Sequence, residues 1–391
     1  MIISSIKRKL LFLWRVKKVW ARPKSVKTLI YDRAGSELFL KYLCKDHVEI
    51  LDTRGESINM FVLFRCLFEG LNIPVYEATY LKMVNPEVAL TYIDNNPKFY
   101  LLKKIIPELT TIFVQNGHRS IFGDIFGQLG EVNDCKQAGY HVNHMFCFGS
   151  AVGYKYADYI SGNVKPIGSF INNMTGKIEP GSQPNSVLFL SQYRIPPASP
   201  EIPMMYNGND AIYWDSIFSP EVLILPHLYS FCQEKGLKLR ICGCSTDNSL
   251  SEKQFFKKIL GDGGWEYIPR SSGHSSYEHV DLASYIVMID TTLGYEALAR
   301  GKKVAAFTIR GKPLKANDFT FGWPKILPDN GPFWTNHFNE EEFIRIMSYI
   351  TTVTDDEWEK DRVRYVNGLM EFDPGNTKFL NLMKDLQVPL N

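Results

Sequence analysis

Residues Asp281–Arg310, DLASYIVMIDTTLGYEALARGKKVAAFTIR, decide the fold. Ile286–Ile289 is a short apolar run between polar neighbours, as a central parallel strand buried on both faces is. Asp290–Gly294 carries turn chemistry and ends in a glycine that lets the backbone bend or approach a ligand closely. Tyr295–Arg300 is made of helix formers, and Gly301 is a natural stop just past them. Val304–Ile309 supplies the next strand. The Thr-Thr-x-Gly loop opens a helix at a strand's carboxyl end, where outward-pointing N–H groups suit a phosphate. Glu296, one turn into the helix, can reach sugar hydroxyls. Any α/β protein has several such turns, so the loop alone leaves a purely structural role equally open.

The same alternation extends to both sides. Upstream, strands are expected at Thr28–Tyr31, Val48–Leu51, Thr111–Val114, His144–Phe148 and Val164–Ile167, with a shorter one at Val75–Tyr76 and an apolar helix at Met60–Glu69. Asn172–Asn185, polar and rich in Gly and Pro, has the composition of a linker. The pattern then restarts with strands at Ser186–Leu190, Lys238–Cys242 and Trp265–Ile268 and helices at Leu223–Lys235 and Phe255–Leu260. Asn339–Tyr349 and Asp355–Met370 close the chain as helices. Strands alternating with helices mean parallel sheets with right-handed crossovers. The expected fold class is α/β, with two doubly wound Rossmann-like domains facing across a cleft and C-terminal helices. The expected divisions are 1–24, a basic amphipathic helix; 25–172, an acceptor-side domain; 173–185, a linker; 186–338, a nucleotide-donor domain; and 339–391, the closing helices.

A chain of 391 residues has room for two or three domains. Its net charge of +2 gives no case for nucleic acid as a partner. Seven cysteines, an odd number without framework or zinc spacing, fit reduced thiols in the cytosol. No run approaches the roughly 18 apolar residues of a membrane span. The first 24 residues hold eight Lys and Arg and no acid, and Ile3, Ile6, Leu10, Leu13 and Trp14 fall at helical spacing. A basic amphipathic helix of this kind lies on an anionic membrane surface, which places the protein in the cytoplasm, peripheral on the inner face of the plasma membrane. The alternative is an ordinary packed helix with a solvated charged face.

Three strand-to-helix loops of the first half, DRAGSE, DTRGES and QNGHRS, each combine a glycine with charged or amide side chains. Asp32, Asp52 and Glu56 are candidate general acids or bases, and His118 a candidate base or a donor that steadies an anion. Arg33, Arg54, Asn116 and Arg119 suit a sugar or an anionic acceptor, Arg by bidentate grip. Such Arg–Asp pairs also brace a rim with no other role. In the second half Ser191, Gln192, Tyr193, Arg194, Gly243, His274, Ser275, Ser276, Thr291, Thr292, Gly294 and Glu296 collect at strand ends, where hydroxyls and a helix N-terminus suit a nucleotide phosphate. No P-loop, strand-linked GxGxxG, GxSxG or D-x-D motif occurs, and no His/Cys cluster has metal spacing. What survives is a transferase that uses a nucleotide-linked donor without metal or other cofactor.

On LDTRGES at Leu51–Ser57, QNGHRS at Gln115–Ser120 and MIDTTLGYEALARGKKV at Met288–Val304, the chain resembles bacterial surface-carbohydrate biosynthesis proteins of the GT-B glycosyltransferase type. The last stretch looks like their donor-side motif, in which a Ser-Thr or Ser-Ser pair more often stands at the positions of Thr291 and Thr292. It is similar to that of CMP-dependent nonulosonate (sialic or pseudaminic acid) transferases and, more distantly, of polyglycerol-phosphate transferases. The resemblance implies a C-terminal domain for the nucleotide and an N-terminal domain for the acceptor. It implies that Thr291, Thr292 and Gly294 hold donor phosphate and that Glu296 lies near the ribose. The expected function is transfer of a sugar, CMP-linked by preference, to a lipid-linked or saccharide acceptor of capsule or lipopolysaccharide. A nucleotide-sugar epimerase, a CDP-glycerol-type phosphotransferase and a non-catalytic binding protein on the same fold are the alternatives.

Overall fold

The protein is described by a computed structural model over residues 15–178, 185–272 and 274–391. The first large sheet contains β2 (Thr28–Tyr31), β3 (Val48–Leu51), β5 (Val88–Thr91), β6 (Thr110–Val114), β7 (His141–Cys147) and β8 (Ser161–Pro166). A two-stranded ribbon beside it pairs β1 (Lys17–Val19) with β4 (Ser57–Asn59). The second large sheet contains β9 (Ser186–Leu190), β12 (Lys238–Cys242), β13 (Trp265–Ile268), β14 (Tyr285–Met288), β15 (Lys303–Phe307), β16 (Asn330–Gly331) and β17 (Trp334–Thr335). A small hairpin pairs β10 (Met205–Asn207) with β11 (Asp210–Ile212).

Strand order is β3-β2-β5-β6-β7-β8 in the first sheet and β13-β12-β9-β14-β15-β17-β16 in the second. All pairs are parallel except β16 with β17. Each sheet is doubly wound. Its strand order reverses once, between β2 and β5 in the first and between β9 and β14 in the second. At such a switch point the loops leave in opposite directions and open a crevice. The central strands are continuous apolar runs because helices cover both faces: every residue of β2, β5 and β9 is buried.

Several expectations need correction. Val75–Tyr76 is not a strand but part of the helix Ile73–Val84, where Asn72 caps the Val75 N–H at 2.9 Å and Pro74 sits in the first turn. The strand between β2 and β6 is β5, which was not expected. Lys17–Val19 is a strand rather than part of a basic helix, because β4 offers it a parallel ladder. Residues 1–14, with Ile3, Ile6, Leu10, Leu13 and Trp14, lie outside the described residues, as do 179–184 of the expected linker and Gly273.

The closing helices part company. Glu340–Thr352 and Asp355–Val366 stay on the second sheet, where Phe343 stacks on Phe307 and the Trp358 indole donates to the Gly301 carbonyl at 3.1 Å. The chain then recrosses to the first unit. Glu371 N–H donates to the Phe148 carbonyl, and the last helix, Thr377–Asp385, lays Phe379 against Phe39, Phe146 and Phe170. Phe379 is wholly buried, a contribution of about 2–3 kcal/mol relative to an exposed ring.

Candidate active site between the two domains

The loop Gln115–Ser120 leaves β6 and is held by two carboxylates, Asp94 and Asp124, the latter accepting from the Ser120 N–H at 3.3 Å. Asp94, in the loop after β5, is fully buried and accepts from Arg119 Nε at 2.7 Å, Tyr156 OH at 2.6 Å and the Asn116 N–H at 3.0 Å. Arg119 also donates to the Asn116 amide oxygen and to the His118 carbonyl. Its guanidinium is buried and committed, so it fixes the loop rather than meeting an anion, which corrects its expected role. Asn116 is held by the same network. Gln115 ties the loop down further, donating to the Gly117 carbonyl at 2.8 Å and accepting from the Phe148 N–H at 2.8 Å.

So fixed, the loop points His118 at the second domain. The His118 N–H donates to Thr292 Oγ1 at 3.3 Å, and its ring stacks on Tyr295 with centroids 6.1 Å apart. Two stretches 174 residues apart in sequence thus meet across the cleft. Burial pushes the His118 pKa down, opposed by the nearby Asp290 charge, so the ring is neutral at neutral pH. A neutral imidazole can accept a proton.

On the second side, Thr291 caps the helix Thr292–Ala299 through Leu293 N–H at 3.3 Å. This helix start and Gln192 lie on either side of the β9/β14 switch point. Gln192 Oε1 accepts from the Asp290 N–H at 3.4 Å. Asp290 is gripped by Arg310 Nε at 2.9 Å, and Arg310 Nη2 donates to Glu221 at 2.7 Å. Arg310 and Glu221 are both buried, and burial raises the Glu221 carboxyl against the pull of Arg310. Deeper in the same helix, Glu296 is buried beside the Ser169 and Tyr277 hydroxyls, and burial pushes its pKa up to about 7.

The other expected donor residues divide by what they touch. Ser191 is buried on Glu252, and Tyr193 packs among Trp214, Phe218 and Phe255. A Cβ on Gly243 would meet the Tyr267 hydroxyl at 2.6 Å, and one on Gly294 would meet Met288 Sδ at 1.9 Å, so both glycines serve close packing. Ser275 caps the turn at Ser271 and Ser272, Ser276 is buried beside the Cys242 thiol, and Arg194 is exposed. His274 spans the domains, with Lys41 Nζ at 3.4 Å and Thr175 Oγ1 at 3.1 Å. Gln192, Thr291 and Thr292 are left at the switch-point crevice.

The loops after β2 and β3 form a separate cluster. Asp32 accepts from Arg54 Nε at 2.7 Å, Thr53 Oγ1 at 2.9 Å and the Ala34 N–H at 2.9 Å. Asp52 accepts from Arg33 and Ser57, and Glu56 from the Arg54 N–H at 3.1 Å. Asp32 and Asp52 are spent on bracing, while Arg33 and Arg54 keep side chains about half exposed, at 51% and 52%. β3 is three strand steps from β6, about 14 Å, so Asp52 and Glu56 do not join His118 in one group.

Two recesses mark the domain boundary. One, of about 20 Å³, lies among Gln115, His118, Thr292, Tyr295 and Trp323 and has room for about one water. The other, of about 500 Å³, opens between Ile121–Gly123 and Tyr206–Gly208 with Lys315–Asp318, and Trp323 borders both. Asp318 closes its floor by accepting from the Ile121 and Phe122 N–H groups. Arg300 is a further tie between the domains, paired with Asp281 and donating to Asn172, Thr175 and Gly176.

Residues 112–387, more than half of the chain, match the model of a family described as "putative O-antigen biosynthesis protein". The chain belongs to this O-antigen biosynthesis family. No curated protein matches it. Among solved structures, the O-antigen family member is similar in fold to UDP-GlcNAc 2-epimerase from Neisseria meningitidis bound to UDP-GlcNAc, with 9% identity over 92% of this chain and 99% of that one and a TM-score of 0.50. It is similar also to S. aureus MnaA in its UDP co-structure, with 11% identity, 93% and 98% coverage and a TM-score of 0.50. A glycosyltransferase from Rickettsia africae matches with 11% identity, 93% and 99% coverage and a TM-score of 0.49. The fold is GT-B. Among the described residues of the O-antigen family member, no helix is long and apolar enough to cross a membrane.

Proposed function

We propose that the protein is a metal-independent glycosyltransferase of O-antigen and related surface-polysaccharide synthesis, moving a sugar from a nucleotide donor to a saccharide or lipid-linked acceptor. The observation that carries this reading is the meeting of His118 with the first turn of Thr292–Ala299 beside the β9/β14 switch point. There the donor phosphate faces the Thr291 and Thr292 hydroxyls and the positive end of a helix. An acceptor hydroxyl gives its proton to neutral His118. Its oxygen bonds to the sugar carbon as the bond from that carbon to the donor phosphate breaks, and the electron pair leaves with the phosphate. The helix end and hydroxyls then stabilise the departing charge.

A CMP-linked nonulosonic acid is the donor the sequence motif favours. UDP is the competitor, since two proteins of similar fold were solved with UDP or UDP-GlcNAc. Residues 1–24, with their excess of cations, are assigned to the anionic inner face of the plasma membrane. A thermal-shift series with CMP, UDP, GDP and CDP tests the site. A ligand at a hundred times its Kd adds about 2.7 kcal/mol of stability, and no response to any of the four overturns the reading. The likeness in fold to 2-epimerases favours a second reading, conversion of a nucleotide sugar without acceptor. Product from donor alone selects it; product only when acceptor is added selects transfer.

A further inference from the structure

The helix Met60–Cys66 and the turn that follows it carry an apolar stripe on the wrong side. Phe61, Phe64, Leu67, Phe68 and Leu71 recur at helical spacing, yet all are exposed, Phe68 at 92%. Val62 and Cys66, between them, face the core. Ile73 at the start of the next helix and Trp20, whose ring lies 6.3 Å from that of Phe64, extend the same patch. A soluble monomer rarely leaves a contiguous aromatic and aliphatic patch in water.

The charge beside it is mainly basic, with Glu69 the one exposed acid inside the segment Phe64–Ile73. Arg15, Lys17, Lys18, Arg22 and Lys24 are exposed, and no acid lies between Arg15 and Lys24. This basic segment is bound to the patch, because β1 pairs with β4 directly ahead of Met60 and Asn59 Nδ2 donates to the Ala21 carbonyl at 2.9 Å. Exposed Phe and Leu with a Trp at their border and a fringe of Lys and Arg match the layered chemistry of a bilayer surface: acyl chains, interface and anionic headgroups.

We propose that this corner, Trp20 with Phe64–Ile73, docks the protein on an anionic lipid surface. The assignment rests on described residues and is independent of the catalytic reading. β4 follows directly on the loop Asp52–Glu56, so that loop, with the half-exposed Arg54 and the Arg33 paired to Asp52, adjoins this corner in the chain.

Sedimentation of the full chain with vesicles tests the proposal, using phosphatidylglycerol with phosphatidylethanolamine against phosphatidylcholine alone. The wild-type protein should bind the anionic vesicles, lose affinity as salt rises, and leave the neutral ones largely in solution. The double variant Phe68→Ser/Leu71→Ser, with an unchanged melting midpoint, should partition at least tenfold less. A charge variant, Lys17→Glu/Arg22→Glu, should lose binding mainly at low salt. Equal partition of wild type and Phe68→Ser/Leu71→Ser overturns the proposal. So does a wild-type dimer that this variant dissociates without change in vesicle binding, which makes the patch an interface between copies.

Discussion

The two charged loop clusters of the first domain look alike in sequence and differ in what they do. The outer one, after β2 and β3, pairs carboxylates that are buried with arginines that are half in water. The inner one, around β5 and β6, buries both partners: Arg119 and Asp94 are 6% and 0% exposed. Position in the strand order makes the difference. β3 is the edge of the sheet, and its loop faces solvent. β6 is central, and its loop is pressed against the second domain. Exposed pairs are worth roughly 0–1 kcal/mol, whereas stripping one partner from a buried pair costs about 3–5 kcal/mol.

Asp94→Ala puts that contrast to its hardest test. It leaves a buried guanidinium with only the more distant Asp124 carboxylate, 3.6 Å from Nη1, as counter-charge and frees the Tyr156 hydroxyl and the Asn116 N–H as well. Urea unfolding should show a loss of about 3–5 kcal/mol. A loss under 1 kcal/mol would mean that the inner cluster is no more a structural hub than the outer one.

Glu296 makes the next largest difference. Its pKa is raised from 4.5 to about 7 in the folded protein. Below pH 4.5 both states are protonated and the group has no effect. Between pH 4.5 and 7 the unfolded chain releases a proton that the folded chain keeps, so stability falls as pH rises, and it levels off above 7. The full change is about 3 kcal/mol. Glu296→Gln should remove that slope and be the more stable protein at pH 8. Parallel pH profiles for the two proteins would show that Glu296 titrates normally.

Much of the fold was legible. β12 and β13 coincide with Lys238–Cys242 and Trp265–Ile268 as expected, because each mixes apolar with charged residues in a short stretch bounded by turn residues. β5 was missed because VALT runs on into Tyr-Ile-Asp without a glycine to mark its end. With it went Asp94, the residue that holds the inner loop. Its signal was present all the same, an Asn-Pro turn followed by the uncharged run Val88–Ile93 and then an acid. Val75–Tyr76 misled for a local reason, since β-branched and aromatic residues favour strands while the cap at Asn72 and Pro74 favour a helix. The meeting of His118 with Thr292 carries no sequence signal of its own. Each loop is readable alone, but their contact is set by how two domains close. Arg310 with Glu221 was hidden for the same reason, since 89 residues separate them.

Gly35 ties the outer cluster to the β2/β5 switch point and offers a smaller perturbation. Its φ is +78°, and a Cβ there would stand 2.3 Å from the Tyr92 ring. Gly35→Ala therefore adds backbone strain to a clash, about 1–3 kcal/mol together. Tyr92→Ala in the same chain should recover part of the loss if the ring is the obstacle. Identical losses in the single and double variants would assign the whole effect to the backbone.

The smallest stability effect is expected at Arg54, and it is the one that divides bracing from function. When Arg54 becomes Ala, Asp32 keeps the Thr53 hydroxyl and the Ala34 N–H, so its charge is still met by two donors. The loss should be no more than about 1 kcal/mol, and smaller still in high salt. If Arg54 only braces the rim, turnover should stay as it is. If its half-exposed guanidinium also holds an anionic acceptor, KM for that acceptor should rise while kcat stays constant, the signature of binding lost equally in ground and transition states. Arg119→Ala should do the reverse. It would lower kcat through a misplaced His118 and leave acceptor KM little changed. Should both variants move the same constant, the separation of an outer, anion-holding rim from an inner, reacting one fails.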